Sequence, residues 1–369
     1  MELREFTPQT LRPFLDSEEY QAMPVVPISR HRALSHINNP RVSGNDLILV
    51  LAMVEGKMAG YLGVFADYIF LKDQKEKAGW LSCMWVDPEV RGQGIAKKLL
   101  NRVLERWDNR ILVTEFTPAA KGLYDRSGQF QDLKISEGLR GFLRFNLDEL
   151  LPKKFPALEK FKPIISLKNW ALNVPNELRL NFWKPSVETQ KYRVETVGKI
   201  DEKLAAFISA RQQSQLEKRS AEDLNWLLQN PWLLPVSEDD GTGKKYHFSA
   251  FDQRFEFRPL QIFNPENKLM AFVILAIRGN DLKVPYLYAE AGHIKAVAEI
   301  IVQQMLKEDL RTITVFHPEL VAFFKQNPKP FLYLHPLKRH YIISKKFAKL
   351  LNQQPEVKIQ DGDADCAFT

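Results

Sequence analysis

At 369 residues the chain is longer than one hydrophobic core ordinarily fills, so two domains are expected. With 45% hydrophobic and 26% charged residues it is not a disordered chain. Its 52 basic and 45 acidic residues leave a net charge of +7, scattered in pairs such as Lys97-Lys98 and Lys244-Lys245. Charge so dispersed argues against a nucleic-acid partner, which would favour a basic stripe with interleaved aromatics.

The most apolar run, Leu47–Val54, is far shorter than the roughly 20 residues that cross a bilayer, so no membrane partner is expected. Acidic residues among Met1–Glu5 argue against a signal peptide. Cys83 and Cys366 stand far apart without metal-ligand spacing, so no metal site and a reducing, cytoplasmic setting are expected.

In chain order, Leu3–Phe6 reads as a short strand and Thr10–Asn38 as a helical region broken by Pro13, Pro24 and Pro27. Leu47–Val54 and Met58–Phe65 flank Glu55-Gly56-Lys57, a hairpin signal. Trp80–Val86 is a further strand, ended by Asp87-Pro88-Glu89. From Gly94 the apolar period changes to three and four residues, with Ile95, Leu99, Leu100, Val103, Leu104 and Trp107 on one face of a helix and basic residues on the other. Ile111–Phe116 reads as a strand, Pro118 opens a helix to Asp125, and Phe142–Leu147 is the expected last strand.

Residues 148–190, with Pro152, Pro156, Pro163 and Pro185 among lysines and apolar residues, read as a partly helical connector. The order of elements then recurs: strand Tyr192–Val197, helical region Glu202–Gln229, strands Met270–Ile277 and Val284–Ala289, a helix through Ile294–Met305 and strand Thr312–Phe316. Arg110–Pro118 and Arg311–Pro318 each carry a β-rich run to a helix-opening proline, with Tyr124 or Phe324 six residues on. A duplicated fold is expected, with domains over 1–147 and 191–369.

The most informative corner is Val86-Asp-Pro-Glu-Val-Arg-Gly-Gln-Gly-Ile-Ala96, where a strand gives way to a helix through a glycine-bearing loop. The first N–H groups of a helix lack intrahelical acceptors, and the dipole adds positive charge there. Such a corner binds anions, and Gly92 and Gly94 allow close backbone approach. The spacing excludes a P-loop and a dinucleotide fingerprint.

Arg91-Gly92-Gln93-Gly94-Ile95-Ala96 fits Arg/Gln-x-x-Gly-x-Gly/Ala, the acetyl-CoA loop of the GNAT superfamily. Thr117-Pro118-Ala119-Ala120, Leu123-Tyr124 and Gly128-Gln129-Phe130 follow in that family's order. Threonine stands for the usual asparagine, and one residue separates glycine from phenylalanine. The chain therefore resembles a GNAT N-acetyltransferase, by motif over 80–130 and by element order over 1–147. The resemblance implies an α/β (α+β) fold: a mixed, mostly antiparallel sheet flanked by helices, here duplicated in tandem. It implies acetyl-CoA as cofactor and a small-molecule or peptide amine as acceptor. Backbone near Trp85 and Val86 would pair with the pantetheine arm, and N–H groups from Gln93 to Lys97 would hold the pyrophosphate. Arg91, Gly92, Gly94, Ile95, Ala96 and Thr117 complete the implied cofactor site. Tyr124 takes the position of the family's general acid, a role that suits a neutral phenol.

The base is less clear. Relatives carry a glutamate on the strand before the loop, but Leu81-Ser82-Cys83-Met84 has none. Glu115 offers a carboxylate that either faces the cleft or is a strand-end charge. Cys83, with no histidine near it in the motif region, reads as structural. Arg30, His31, Arg32 and His36 sit where the family builds its acceptor side, and either meet an anionic acceptor or form a polar helix surface. The second half has Tyr288-Ala-Glu-Ala-Gly-His-Ile294 at its corner and lacks the loop signature, which implies a degenerate copy. The tail Asp361–Asp365 is expected to be a solvated acidic terminus. A non-catalytic acyl-CoA-binding or scaffold protein stays open as an alternative. So does a duplicated-GNAT aminoacyl-transferase, against which the intact loop speaks.

Overall fold

The computed structural model describes residues 1–71, 74–351 and 357–368. The apolar runs at the start pair as neighbours: β1 (Glu2–Phe6) is antiparallel to β2 (Leu49–Val54), and β2 to β3 (Lys57–Leu71). Glu55 (φ 50°) and Gly56 (φ 77°) make the β2–β3 turn, both left-handed, which matches the twist of the strands they join. The region before β2 forms α1 (Pro8–Leu15), α2 (Glu18–Ala22) and α3 (Arg30–Ile37); Pro13 lies inside α1 and does not break it, while Pro24 and Pro27 separate α2 from α3. β4 (Gln74–Val86) runs antiparallel along β3. The apolar stripe expected after Gly94 forms α4 (Ile95–Arg106), which returns the chain so that β5 (Ile111–Thr114) lies parallel to β4. α5 (Pro118–Ser127) follows, its N-cap Thr117 accepting from the Ala120 N–H at 3.2 Å.

The expected strand Phe142–Leu147 is not formed; β6 (Phe130–Phe142) stands in its place. Beyond Phe142 the backbone groups are claimed by asparagines of a later helix, so they cannot enter a ladder. The connector holds α6 (Leu147–Lys154) and α7 (Lys162–Asn181). Then come β7 (Arg193–Thr196), α8 (Glu202–Ser209), α9 (Ala221–Gln229) and the two-residue strands β8 (Leu234–Pro235) and β9 (Phe251–Asp252). β10 (Phe255–Phe263), β11 (Leu269–Arg278) and β12 (Asp281–Ala289) lead to α10 (Ile294–Lys307) and β13 (Thr312–Val315). The second half closes with α11 (Pro318–Gln326), β14 (Tyr333–Ser344) and α12 (Lys345–Leu351). β10 and β14 escape a reading of apolar period because charged and polar residues interrupt both.

Two compact units result, Met1–Ser136 with Gly198–Glu256 and Arg339–Thr369, and Glu137–Val197 with Phe257–Lys338. This division differs from the linear one expected at 147 and 191. In the first unit the strand order is β1-β2-β3-β4-β5-β14, with Tyr341–Ile343 antiparallel to β5. In the second it is β6-β13-β12-β11-β10-β7, with Leu139–Phe142 antiparallel to β13. Each half of the sequence thus gives its last strand to the other half's sheet. Both sheets are antiparallel except at β4–β5 and β12–β13, where the helices α4 and α10 make the crossover.

In the first unit Leu99, Leu100 and Val103 of α4 pack on Leu62, Val64 and Ile111, while Leu11, Phe14 and Tyr20 pack with Leu49, Leu51 and Tyr61. In the second, Val297, Ile301 and Met305 of α10 pack on Val273, Leu275 and Ile313. Among the described residues no helix is long and apolar enough to cross a membrane.

Candidate active site

β4 and β5 pair only at Gly79–Ile111 and Trp80–Leu112. Past Trp80, β4 runs on to Val86, and a groove of about 720 Å³ opens between its end, the start of α4 and the start of α5. Met84, Val86, Val90 and Leu123 give it an apolar wall; Arg91, Lys97 and Arg126 give it positive charge. At the head of the groove Gly92 (φ 86°) and Gly94 (φ 76°, the N-cap of α4) are left-handed, and a Cβ on either would meet nothing within 4 Å. That leaves a bare stretch of backbone facing the groove where the unpaired N–H groups of α4 converge.

Of the expected cofactor residues, Trp85, Val86, Arg91, Gly92, Gly94, Ile95, Ala96, Lys97 and Thr117 all line this groove, and Gln93 does not. Met84, Ala119, Ala120, Arg126 and Ser127 line it as well. The last two lie two helical turns beyond Ala119 and Ala120 of the Thr-Pro-Ala-Ala motif, so the periodicity of α5 could have marked them. Tyr124 is 3% exposed, its ring edge-on to Phe116 and tilted against Phe130. Burial pushes its phenol well above the usual range, so the hydroxyl stays a proton donor. Glu115 is exposed at a left-handed φ of 54°, and its carboxylate meets Arg339 at 2.7 Å.

No local sequence signal marks the polar cluster around Ser82 of β4. The β3–β4 register slips between Gly63–Ser82 and Leu62–Met84, leaving Cys83 as the extra residue at φ 24°. Arg32 of α3, almost wholly buried, donates to Cys83 Sγ at 2.8 Å, to the Tyr246 hydroxyl at 3.1 Å and to Ser82 Oγ. Its guanidinium also lies 3.9 Å from the Trp232 ring centre. Ser82 Oγ in turn donates to the carboxylate of Asp365, which stands 3.6 Å from Arg32. Burial raises the Asp365 carboxyl above the usual carboxylate range, and Arg32 and Ser82 partly offset it. Ser82 is two residues before groove-lining Met84 on the same strand, and through it the Asp365 carboxylate is tied to β4, though neither Ser82 nor Asp365 lines the groove itself.

The other expected acceptor residues serve the fold. Arg30 pairs with Asp16 at 2.6 Å, His31 meets the Trp232 carbonyl at 2.8 Å, and His36 stacks on Trp232 with ring centres 5.0 Å apart. Burial lowers the His36 imidazole to about 3, so it is neutral in the folded chain. Cys83 is a half-buried thiol, pushed up by desolvation.

The expected solvated tail is instead buried. Asp361, Asp363 and Asp365 sit in the first unit, and Phe368 stacks on Trp232 with ring centres 4.4 Å apart. Arg41 and Arg219 meet four buried carboxylates there: Asp67, Glu217, Asp223 and Asp363. Trp80 Nε1 donates to Glu217 at 2.5 Å, and Arg339 binds Asp361. Acidic spacing alone could not reveal this, because Arg41 and Arg219 lie more than a hundred residues upstream of the tail. Burial and the nearby Asp67 raise Asp363 to about 6. The folded chain therefore holds a proton that the unfolded chain lacks between about pH 4 and 6, and this group's contribution to stability falls as pH rises through that window. Asp363→Asn removes the titration. Thermal unfolding should show the variant losing stability relative to the parent as pH drops from about 7 to about 4.

At the equivalent corner of the second unit a single glycine, Gly292, has a left-handed φ of 83°, and Glu290 pairs with Lys268 at 3.2 Å. Phe324 is buried among Phe323 and Phe331. This corner therefore carries a lysine-paired carboxylate and one left-handed glycine, where the first carries two such glycines.

The profile of the Acetyltransferase (GNAT) family matches residues 13–129. No curated protein matches this sequence. The chain is similar in structure to a conserved protein from Enterococcus faecalis V583, a probable N-acyltransferase, at 10% identity over 96% of this chain and 74% of that one, with a TM-score of 0.55. It is similar to Saccharomyces cerevisiae N-myristoyltransferase with bound myristoyl-CoA at 10% identity over 93% and 78% of the chains, with a TM-score of 0.54. A GCN5-related N-acetyltransferase from Anabaena variabilis matches at 12% identity over 92% and 72%, with a TM-score of 0.50. At these identities the likenesses establish the fold alone, the mixed, mostly antiparallel sheet flanked by helices.

Proposed function

Because residues 13–129 belong to the GNAT acetyltransferase family, we propose that the chain is an N-acetyltransferase that moves the acetyl group of acetyl-CoA to a primary amine. The observation that carries this is the groove at the start of α4, which has bare left-handed glycines where helix N–H groups are unpaired, three cations in its lining and an apolar wall. Those features fit a pyrophosphate followed by a pantetheine arm. When bound, acetyl-CoA supplies an activated thioester.

The chain's residues then divide the work. Gly92–Lys97 backbone with Arg91 and Lys97 holds the phosphates, and the free edge of β4 at Trp85–Val86 takes the amide groups of the arm. Asp365, fixed by Ser82 and Arg32, accepts the proton that the amine loses as its nitrogen bonds to the acetyl carbon. The Tyr124 hydroxyl gives a proton to sulfur as the carbon–sulfur bond breaks, and is reprotonated from water. Glu115 is committed to Arg339 and so is the weaker candidate for base. The second unit, lacking the loop, serves as scaffold or acceptor surface.

Thiol release from acetyl-CoA over a panel of amines tests this reading. Turnover with at least one amine is expected, falling about 10²-fold in Tyr124→Phe with KM for acetyl-CoA unchanged. Binding of acetyl-CoA without turnover on any amine would reduce the chain to an acyl-CoA binder.

A further inference from the structure

α7 is amphipathic the wrong way round. At 100° per residue, Ile165, Asn169, Asn176 and Leu180 fall on one face and are buried. That face is held by its asparagines. Asn169 accepts from the Leu147 N–H at 3.1 Å, Asn173 pairs with both backbone groups of Phe145 at 2.9 and 3.1 Å, and Asn176 donates to the Leu143 carbonyl at 2.9 Å. Glu177 binds Arg144 at 2.7 and 2.9 Å. These bonds fix the rotation of the helix, so the opposite face cannot turn inward. On that opposite face, at steps of three and four, stand Ile164, Leu167, Trp170, Val174 and Leu178, between 47% and 65% exposed, and Phe182 follows at 82%. An apolar ridge about 30 Å long faces outward.

The rim of the ridge is positive. Between Lys154 and Lys184 there are six cations and two acids. Both acids are engaged, Glu159 with Lys162 at 3.2 Å and Glu177 with Arg144. Lys154 and Lys160 lie beside the rings of Phe155 and Phe161, their ammonium groups 5.5 and 5.3 Å from the ring centres. Two copies of this face brought together would set cations against cations. A surface of anionic headgroups over acyl chains matches both features: lysines on the headgroups, a tryptophan and phenylalanines at the polar–apolar boundary, aliphatic side chains below.

We propose that the outer face of α7 lies on an anionic lipid bilayer, seating the chain as a peripheral membrane protein. Nothing in this depends on the acetyl-transfer reading. The helix rests in the plane of the interface and does not span it, in keeping with its mixed composition.

Co-sedimentation of the full chain with vesicles tests it. Vesicles of phosphatidylcholine with phosphatidylserine should capture the chain, less so as salt rises, and phosphatidylcholine alone should not. Lys160→Gln and Lys168→Gln should each weaken capture about fivefold. Leu167→Ser with Trp170→Ser should abolish it while leaving the thermal unfolding temperature unchanged, since both side chains are exposed. Failure of the parent to bind anionic vesicles would overturn the proposal. Sedimentation velocity showing a dimer that the Leu167/Trp170 variant disperses, with no vesicle binding, would assign the face to a second copy instead.

Discussion

Arg41→Ala should lower the stability of the chain by about 3–5 kcal/mol, the cost of leaving buried carboxylates without their cation. Arg41 is 5% exposed and serves Asp67, 0% exposed, as well as Asp223, which it meets through Nε at 2.8 Å and Nη2 at 2.6 Å. Burial alone would raise the Asp223 carboxyl; the hydrogen bonds and charge of Arg41 outweigh it and hold Asp223 down to about 2. Alanine leaves Asp223 without its bidentate partner and takes from Asp67 one of its two cations, so both carboxylates must bind protons or draw in water. Since a typical domain has 5–15 kcal/mol in hand, the loss would consume a large share of it. A urea titration should show a lower midpoint with an unchanged slope. Lysine at this position should not rescue, because one ammonium cannot reproduce a fork that serves two carboxylates. A midpoint within error of the parent would mean that this network does not hold the insert 198–256 to β3.

Asp365→Asn should reduce turnover by about 10²–10⁴-fold, the range for loss of a positioned proton acceptor. Asparagine keeps an oxygen to accept from Ser82, so KM for acetyl-CoA should hold, while thermal stability should fall because the buried Arg32 loses its carboxylate. The sign of the pH dependence follows from the raised carboxyl: the parent should lose activity as pH falls and Asp365 gains its proton, and the variant's residual rate should lack that limb. Glu115→Gln, which disturbs only the contact with Arg339, should change turnover far less. Equal losses in both variants, or a large loss in Glu115→Gln alone, would move the base to Glu115.

What the sequence disclosed and what it withheld divide by distance along the chain. The strand, loop and helix from Trp80 to Arg106 were legible because each signal is local: an apolar run, a proline stop, two glycines and a three-four period. The groove residues followed, since backbone near a helix start needs no distant partner. Asp365 was not legible because its meaning lies in Ser82, 283 positions away. The tail Asp361–Asp365 read as solvated since acidic residues usually are; two arginines, Arg219 and Arg339, reverse that. The exchange of β6 and β14 was hidden because nothing in a strand's own residues says which sheet it joins. The orientation of α7 was not legible either, for its inner face is bound by asparagines and its apolar period marks the outside.

We propose that the chain holds one donor site, at the start of α4, and none at the corner of the second unit. Calorimetric titration of the full chain with acetyl-CoA tests this most directly, run beside Gly94→Val, which puts a branched side chain at φ 76° in the mouth of the groove. One acetyl-CoA bound per chain, and none detectable in the variant, is the expected result. No binding by the parent, two molecules per chain, or unchanged affinity in Gly94→Val would contradict it.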